Sequence, residues 1–230
     1  MNRQNPRVLV VLILLLSAVS AGAQQIILNV GSVIGGGPEL NNAKFDSGPF
    51  NATQVVDEQT GTIGTEVFGQ KYWLGANAAT TGYFVLDLGS AVQIGQISLF
   101  NTHNAVDGND RSTNTFHVSA ANSVTFVNTD RGFDLVAGTT ILSGALAFPT
   151  DPLAENIFTS ANGLTTGGTA FRFISFTYDS IAGPSGSAGN GGGLHEIRVF
   201  TAVPEPSTYA LFGGVAAGAV ALLRRRRGIA

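Results

Sequence analysis

The chain has 230 residues, of which 44% are hydrophobic and only 12% are charged. It contains no cysteine, which excludes disulfides, thiol catalysis and zinc sites built on cysteine. Residues 24–202 carry fourteen acidic and six basic side chains, so they lack the basic surface that a nucleic-acid partner requires. The length allows one domain of ordinary size together with shorter processing segments.

The N-terminus has the three parts of a secretory signal peptide. Arg3 and Arg7 form a positive start, and residues 8–16 are an unbroken apolar run. Small residues at 21–23 fit the cleavage pattern, which predicts that signal peptidase cuts after Ala23 and that residues 1–23 are removed. The alternative is a retained signal anchor.

The body, residues 24–202, shows short runs typical of strands and no long helical period. Residues 115–120 alternate polar and apolar side chains, as a half-buried strand does. Residues 171–178 are apolar on both faces, which predicts a central strand. The other predicted strands are 26–30, 83–88, 94–100, 124–128, 133–137 and 194–200.

Glycine-rich stretches separate several of these strands and predict loops at residues 35–38, 107–110 and 183–193. Eight or more strands around one core predict an all-β fold, a β-sandwich of jelly-roll type. No sequence motif for catalysis stands out. His195 and Glu196 lack the second histidine of a zinc-hydrolase helix, and no strand-turn-helix carries a nucleophilic serine.

The last 28 residues, 203–230, have three parts in a fixed order. Residues 203–207 read VPEPS, residues 209–223 carry no charge, and four consecutive arginines follow. As a helix the uncharged run measures about 22 Å, which is short of the ~30 Å hydrocarbon core. The arginines would hold that end in the cytoplasm, so the body would lie on the other side of the membrane.

This tail resembles the PEP-CTERM sorting signal of Gram-negative bacteria. The resemblance implies recognition and removal by exosortase, a membrane-bound processing enzyme. It also implies transient anchoring in the inner membrane through a transmembrane sorting helix, and a final place at the cell surface or in the extracellular matrix. The residues that carry it are Pro204, Glu205, Pro206, Arg224, Arg225, Arg226 and Arg227.

The body resembles the discoidin-like domains, also called coagulation-factor type C or galactose-binding-like domains. The similar segments are YFVLDLGS at 83–90, VQIGQISL at 92–99 and GLHEIRVF at 193–200, with an acidic loop at Asp57 upstream of Trp73. The resemblance implies a structural calcium ion held by Asp57, Thr60 and Glu196, whose oxygens are the hard ligands that calcium takes. The alternative is that Asp57 caps a turn and Glu196 pairs with a nearby arginine or lysine.

The same resemblance places ligand recognition on loops at one end of the sandwich. The most polar loop, residues 101–114, includes His103, Asn104 and Arg111, which suit sugar hydroxyls. Trp73, the only tryptophan, either stacks on a sugar ring or packs in the core. A simple solvated loop is the alternative for residues 101–114.

These observations predict an exported surface or matrix protein that binds polysaccharide without catalysis. Two other functions stay open at this point. One is a structural biofilm-matrix or coat protein with no specific ligand, and the other is a secreted glycoside hydrolase whose two carboxylates meet only in space.

Overall fold

A computed structural model describes residues 22–37, 44–58, 72–77, 79–102, 111–149, 153–182 and 191–203. One compact unit spans Gln25–Ala202, and the fold below is that of this unit. Its strands through the first half are β1 Val33–Gly37, β2 Trp73–Leu74, β3 Gly82–Phe100, β4 Ser112–Thr113, β5 Thr115–Ala121, β6 Val124–Asn128 and β7 Gly132–Leu135. The remaining strands are β8 Thr139–Ala145, β9 Glu155–Thr159, β10 Ala170–Tyr178, β11 Ile181–Ala182, β12 Gly193–Leu194 and β13 Glu196–Thr201. Two short 3-10 helices cover Val30–Ser32 and Ala52–Val56.

The strands form a β-sandwich whose two layers share strand β3. The first half of β3 lies in a large antiparallel sheet with the order β6-β7-β1-β3-β10-β5-β8. Its second half pairs with β13 and β9. The all-β sandwich predicted from the sequence is therefore confirmed.

Strand β3 is one continuous strand of 19 residues, whereas the sequence predicted two strands, 83–88 and 94–100. Gly89, which lies between the two predicted strands, is part of this continuous strand. Gly89 has φ +82° and its N–H donates to the Asp87 carboxylate, while the pairing with β10 shifts register nearby. The glycine thus marks an irregularity that lets β3 pass from one layer to the other.

The core lies between the two layers and is rich in aromatic rings. Phe84 and Phe116 both stack on Phe176, with ring centroids 5.3 and 5.6 Å apart. Phe158 of β9 meets Phe116 of β5 edge-on, which ties the smaller layer to the larger. Strand β10 lies between β3 and β5 and is buried over most of its length, so its predicted central position is confirmed.

Three other sequence predictions differ from the structure. Residues 26–30 form no strand; Ile26 only donates its N–H to Val199 O before the first 3-10 helix begins. Gly35, Gly36 and Gly37 lie in β1 and not in a loop, because a Cβ at Gly35 would lie 2.1 Å from Phe133 O of β7 and a Cβ at Gly36 would lie 2.8 Å from Tyr83 O of β3. The sequence did not predict strands β8 and β9, because only Ile141 and Leu142 of β8 are buried and no residue of β9 is, so neither strand shows an apolar alternation.

Candidate functional site

The candidate site lies at the end of the sandwich where β3 finishes and the short strands β2, β4 and β12 meet. Trp73 and Leu74 pair with Leu194 and Gly193. The Thr113 hydroxyl donates to Gly193 O at 2.6 Å, and the His195 N–H donates to Phe100 O at 2.8 Å. His195 lies between β12 and β13, so its hydrogen bond continues the pairing across this break. Hydrogen bonds to backbone carbonyls therefore connect the strands at this end of the sandwich.

Asn101 joins the two ends of the polar loop that the sequence singled out. Its side-chain amide donates to Thr113 O at 2.8 Å and to Ala147 O at 2.9 Å, and its oxygen accepts from the N–H groups of Thr102 and Thr113. Asn101, Thr102 and Thr113 are each no more than 1% exposed. The loop therefore starts and ends in fixed, buried backbone.

Arg111 closes this loop in an uncommon conformation. It is 7% exposed, its φ is +66°, and its guanidinium donates to the Asn77 side chain. A non-glycine residue with positive φ costs roughly 1–3 kcal/mol and concentrates at functional sites. His103 and Asn104, the other predicted sugar contacts, lie outside the described residues.

Trp73 is not a ligand-binding residue, and the prediction that it stacks on a sugar is wrong. Its side chain is 0% exposed. The indole meets Phe84 and Phe176 edge-on at 5.2 and 6.3 Å and contacts Tyr178 at 5.7 Å. A ring enclosed on all sides by core aromatics offers no face to a ligand in solvent.

The structure brings the two predicted carboxylate ligands close to each other and adds a third acid. Asp57 follows the second 3-10 helix, whose start is capped by the Asn51 side chain accepting from Thr53 N–H. Glu58 follows with φ +60° and forms an ion pair with Arg198 at 3.0 Å. Glu196, at the start of β13, is 1% exposed although sequence alternation placed it on a polar face. Glu58 and Arg198 lie within the segments that carry the resemblance, but the resemblance gives neither of them a role as a ligand.

The surroundings of Glu196 disfavour its charge. The pKa of this carboxyl is raised to about 9, first by burial and then by the negative charges of Glu58 and Asp57. The Arg198 guanidinium, 3.7 Å away, and the Glu58 backbone N–H offset only part of this. Neither Glu196 oxygen accepts a well-formed hydrogen bond from the described residues.

These donors fit calcium in their chemistry, since Glu196, a buried carboxylate that accepts no well-formed hydrogen bond from the described residues, and two neighbouring acids offer hard oxygen ligands. Among the described residues no three His, Asp or Glu side chains are arranged as a complete metal site. Thr60, the predicted third ligand, lies outside the described residues.

The processing residues fall almost entirely outside the described ranges. Ala23 is described and is exposed in irregular backbone. Residues 204–230 are outside them, so the predicted sorting helix is too. Within the part of the chain that the structure describes, we find no helix with the length and apolar character needed to cross a bilayer.

Comparison with known sequences identifies the tail. Residues 202–227 match the PEP-CTERM protein-sorting motif. The motif marks the chain as an exported protein, and the recognition made from residues 203–230 is confirmed. No curated protein sequence matches the chain.

Solved structures resemble the body. Reduced XRCC1, in a complex with the DNA pol beta catalytic domain, has a TM-score of 0.51 at 15% identity, covering 79% of this chain and 100% of that one. The family 32 CBM of C. perfringens NanJ, solved in complex with galactose, has a TM-score of 0.48 at 15% identity, and the match covers 78% of this chain and 99% of that one. Chitosan-binding module 1 of a Paenibacillus sp. IK-5 chitosanase/glucanase has a TM-score of 0.44 at 13% identity, and the match covers 76% of this chain and 98% of that one. At these identities the likeness concerns the fold alone, and it agrees with the discoidin-like resemblance at that level.

Proposed function

We propose that this exported protein binds carbohydrate without catalysing its turnover, and that residues 101–114 form the binding surface. The observation that carries the proposal is the Asn101 clamp, which fixes both ends of a polar loop in the rigid end of the sandwich. Polar loops held on a rigid scaffold lose little entropy on binding and are common recognition surfaces. The strained Arg111, fixed by Asn77 at the end of this loop, adds support.

A glycan array tests this proposal with the full chain and a double variant, His103→Ala with Asn104→Ala. We expect binding of the wild-type chain to one or more polysaccharide classes and a loss of at least about tenfold in the variant, because several hydrogen bonds disappear together. The matched control is Asn162→Ala, a polar change in an exposed turn elsewhere in the sandwich. Equal binding by the wild-type chain and the double variant contradicts the proposal.

We propose in addition that Asp57, Thr60 and Glu196 hold a structural calcium ion when it is present. Calcium would add to the positive charge of Arg198 beside the buried Glu196, and it would link segments distant in sequence in a chain without disulfides. Melting of the full chain with calcium chloride against a chelator tests this, with magnesium chloride controlling for ionic strength. We expect calcium to raise the Tm of the wild-type chain and of Glu155→Gln, an exposed strand carboxylate, but not that of Glu196→Gln. An unchanged wild-type Tm removes the calcium proposal.

A second candidate function, self-association in a surface matrix, is favoured by one observation. Strand β6 is the edge of the large sheet, and Phe126 and Phe133 on its hairpin are 57% and 36% exposed. An exposed apolar edge strand is a template for pairing with another chain. Sedimentation of the wild-type chain and of Phe126→Lys at several concentrations tests this function. Concentration-dependent assembly of the wild-type chain that the variant lacks supports it, and a wild-type monomer at all concentrations excludes it.

A further inference from the structure

A pocket lies on the outer face of the large sheet, beneath the β6–β7 hairpin. The hairpin follows β5, and β7 pairs with β1 at Gly132 and Gly35. Because β3 and β10 lie between β5 and β1 in the sheet, the hairpin spans their outer side. The space between hairpin and sheet is about 320 Å³, at the lower end of the range of small-molecule sites.

The floor of the pocket combines hydroxyl groups with apolar surface. Its side chains alternate with core residues along β3, β5 and β10, so they point away from the aromatic core. Val85 underlies the floor and is 0% exposed, so the accessible apolar surface comes from Leu135 of β7, in the hairpin. The hydroxyl-bearing residues of the floor are Ser119, Ser175 and Thr177.

A polar network centred on Tyr83 of β3 joins the floor to the hairpin above it. The Tyr83 hydroxyl donates to the Asp134 carboxylate and accepts from the Arg131 guanidinium, which also lies over the Tyr83 ring at 5.3 Å from its centroid. Burial and then the hydrogen bond to Asp134 raise the pKa of Tyr83 to about 12, so its hydroxyl stays neutral. The Arg131 Nε–H is buried and has no acceptor among the described residues.

The charges around the pocket are already matched. Arg131 and Asp134 share the Tyr83 hydroxyl, and His117 faces Asp179 with Nδ1 2.9 Å from its carboxylate. A charged ligand would disturb these pairs. A neutral ligand with its own hydroxyls would bind the hydroxyl groups of the floor and leave these pairs intact.

We propose that this pocket binds a small neutral polyhydroxylated ligand of the size of one monosaccharide unit. Its hydroxyls would meet Ser119 and Thr177, and its C–H face would lie on Leu135. The proposal goes beyond the function proposed above, because the pocket shares no residue with the 101–114 loop.

Saturation-transfer difference NMR tests the proposal on the full chain, solubilised in a detergent without a sugar headgroup. The probes are the methyl glycosides of glucose, galactose, mannose and glucuronate. Ser119→Phe places a ring inside the pocket, and Thr177→Val removes one hydroxyl with little change of shape. Thr169→Val makes the same chemical change on an exposed loop outside the pocket.

We expect a neutral glycoside to bind the wild-type chain and Thr169→Val equally. Binding should be lost in Ser119→Phe and weakened about threefold to tenfold in Thr177→Val, the effect of one hydrogen bond. Circular dichroism checks folding, and if Ser119→Phe does not fold, Thr177→Val decides alone.

The double variant of the loop separates the two proposals. Loss of binding in His103→Ala with Asn104→Ala, but not in the two pocket variants, overturns the pocket and leaves the proposed function standing. Loss in the pocket variants alone supports the pocket, and the glycan array with the loop variant then decides on the loop separately. Binding of glucuronate only, or of no glycoside, overturns the pocket as a site for a neutral ligand.

Discussion

Glu196 is the residue whose surroundings are least favourable to its ordinary charge. With a pKa raised to about 9 in the folded chain, it binds a proton more tightly than in the unfolded chain, where a glutamate has a pKa of about 4.3. Its contribution to stability is therefore complete below the unfolded pKa and is lost as the pH rises towards 9. A bound cation would replace the proton and reverse that loss.

The calcium proposal consequently predicts a pH dependence. Calcium must displace the Glu196 proton, so the rise in Tm that calcium causes should be larger at pH 9 than at pH 6. Melting curves at both pH values, with and without calcium, measure this. A calcium effect that is the same at both values, or that survives in Glu196→Gln, would contradict the role of Glu196 as a ligand.

Asp87 and Arg172 form a two-pronged ion pair across β3 and β10. Arg172 donates from Nε and Nη2 to the two Asp87 oxygens at 2.9 and 2.8 Å, and these bonds hold the pKa of Asp87 below its usual range. The pair stabilises the fold above the unfolded pKa of Asp87, and this contribution disappears as the pH falls through the lower folded pKa.

Arg172→Met should thus lower the Tm by a few degrees at pH 6 and hardly at all at pH 2. An equal loss at both pH values would indicate packing and not charge.

Trp73 gives a third prediction at this scale. Trp73→Phe should lower the free energy of unfolding by about 1–3 kcal/mol, because the smaller ring leaves a cavity among Phe84, Phe176 and Tyr178. Carbohydrate affinity should stay unchanged, since the indole is enclosed. Chemical denaturation and a glycan titration measure the two effects, with the exposed Phe126→Leu as a control that changes stability by less than about 0.5 kcal/mol. Selective loss of sugar binding with full stability would refute the core assignment.

At the scale of elements, the contact between β1 and β7 depends on glycine. A Cβ built at Gly35 would lie 2.1 Å from Phe133 O, and one at Gly132, which has φ +66°, would lie 2.2 Å from Ile34 O. The two backbones therefore approach more closely than any side chain permits. This approach holds the β6–β7 hairpin across the outer face of the sheet.

Gly35→Ala should accordingly separate β1 from β7 and lower the free energy of unfolding by about 1–3 kcal/mol. Gly144→Ala is the matched control, because its Cβ would make an ordinary contact 3.5 Å from the Phe116 ring. Urea denaturation measures stability, and amide exchange of β6 and β7 measures the separation. If both variants are equally stable, the close approach does not hold the hairpin.

At the scale of the whole molecule, we expect the tail and the N-terminus to determine where the body acts. We expect the mature protein to lack residues 1–23 and the segment after the PEP motif. Replacing Arg224–Arg227 with alanine should leave the tail uncut, because the positive charge that orients the segment is gone. Four lysines at the same positions keep that charge and should keep processing. Intact mass of the protein from cells and from medium measures this, and a cut tail in the alanine variant would contradict the proposed role of the charge.

The sequence by itself determined the export motif of the tail, the all-β class and the central place of β10, because each depends on local composition and alternation. Only the tertiary structure decided that Trp73 is enclosed, that Glu196 is buried beside two other acids, that β3 is one strand and that a hairpin covers a pocket. Those features depend on pairing between distant segments, such as Gly35 with Gly132 and Phe100 with Glu196. A polar residue on an alternating strand is expected at the surface, and only the element packed against it determines whether water reaches it.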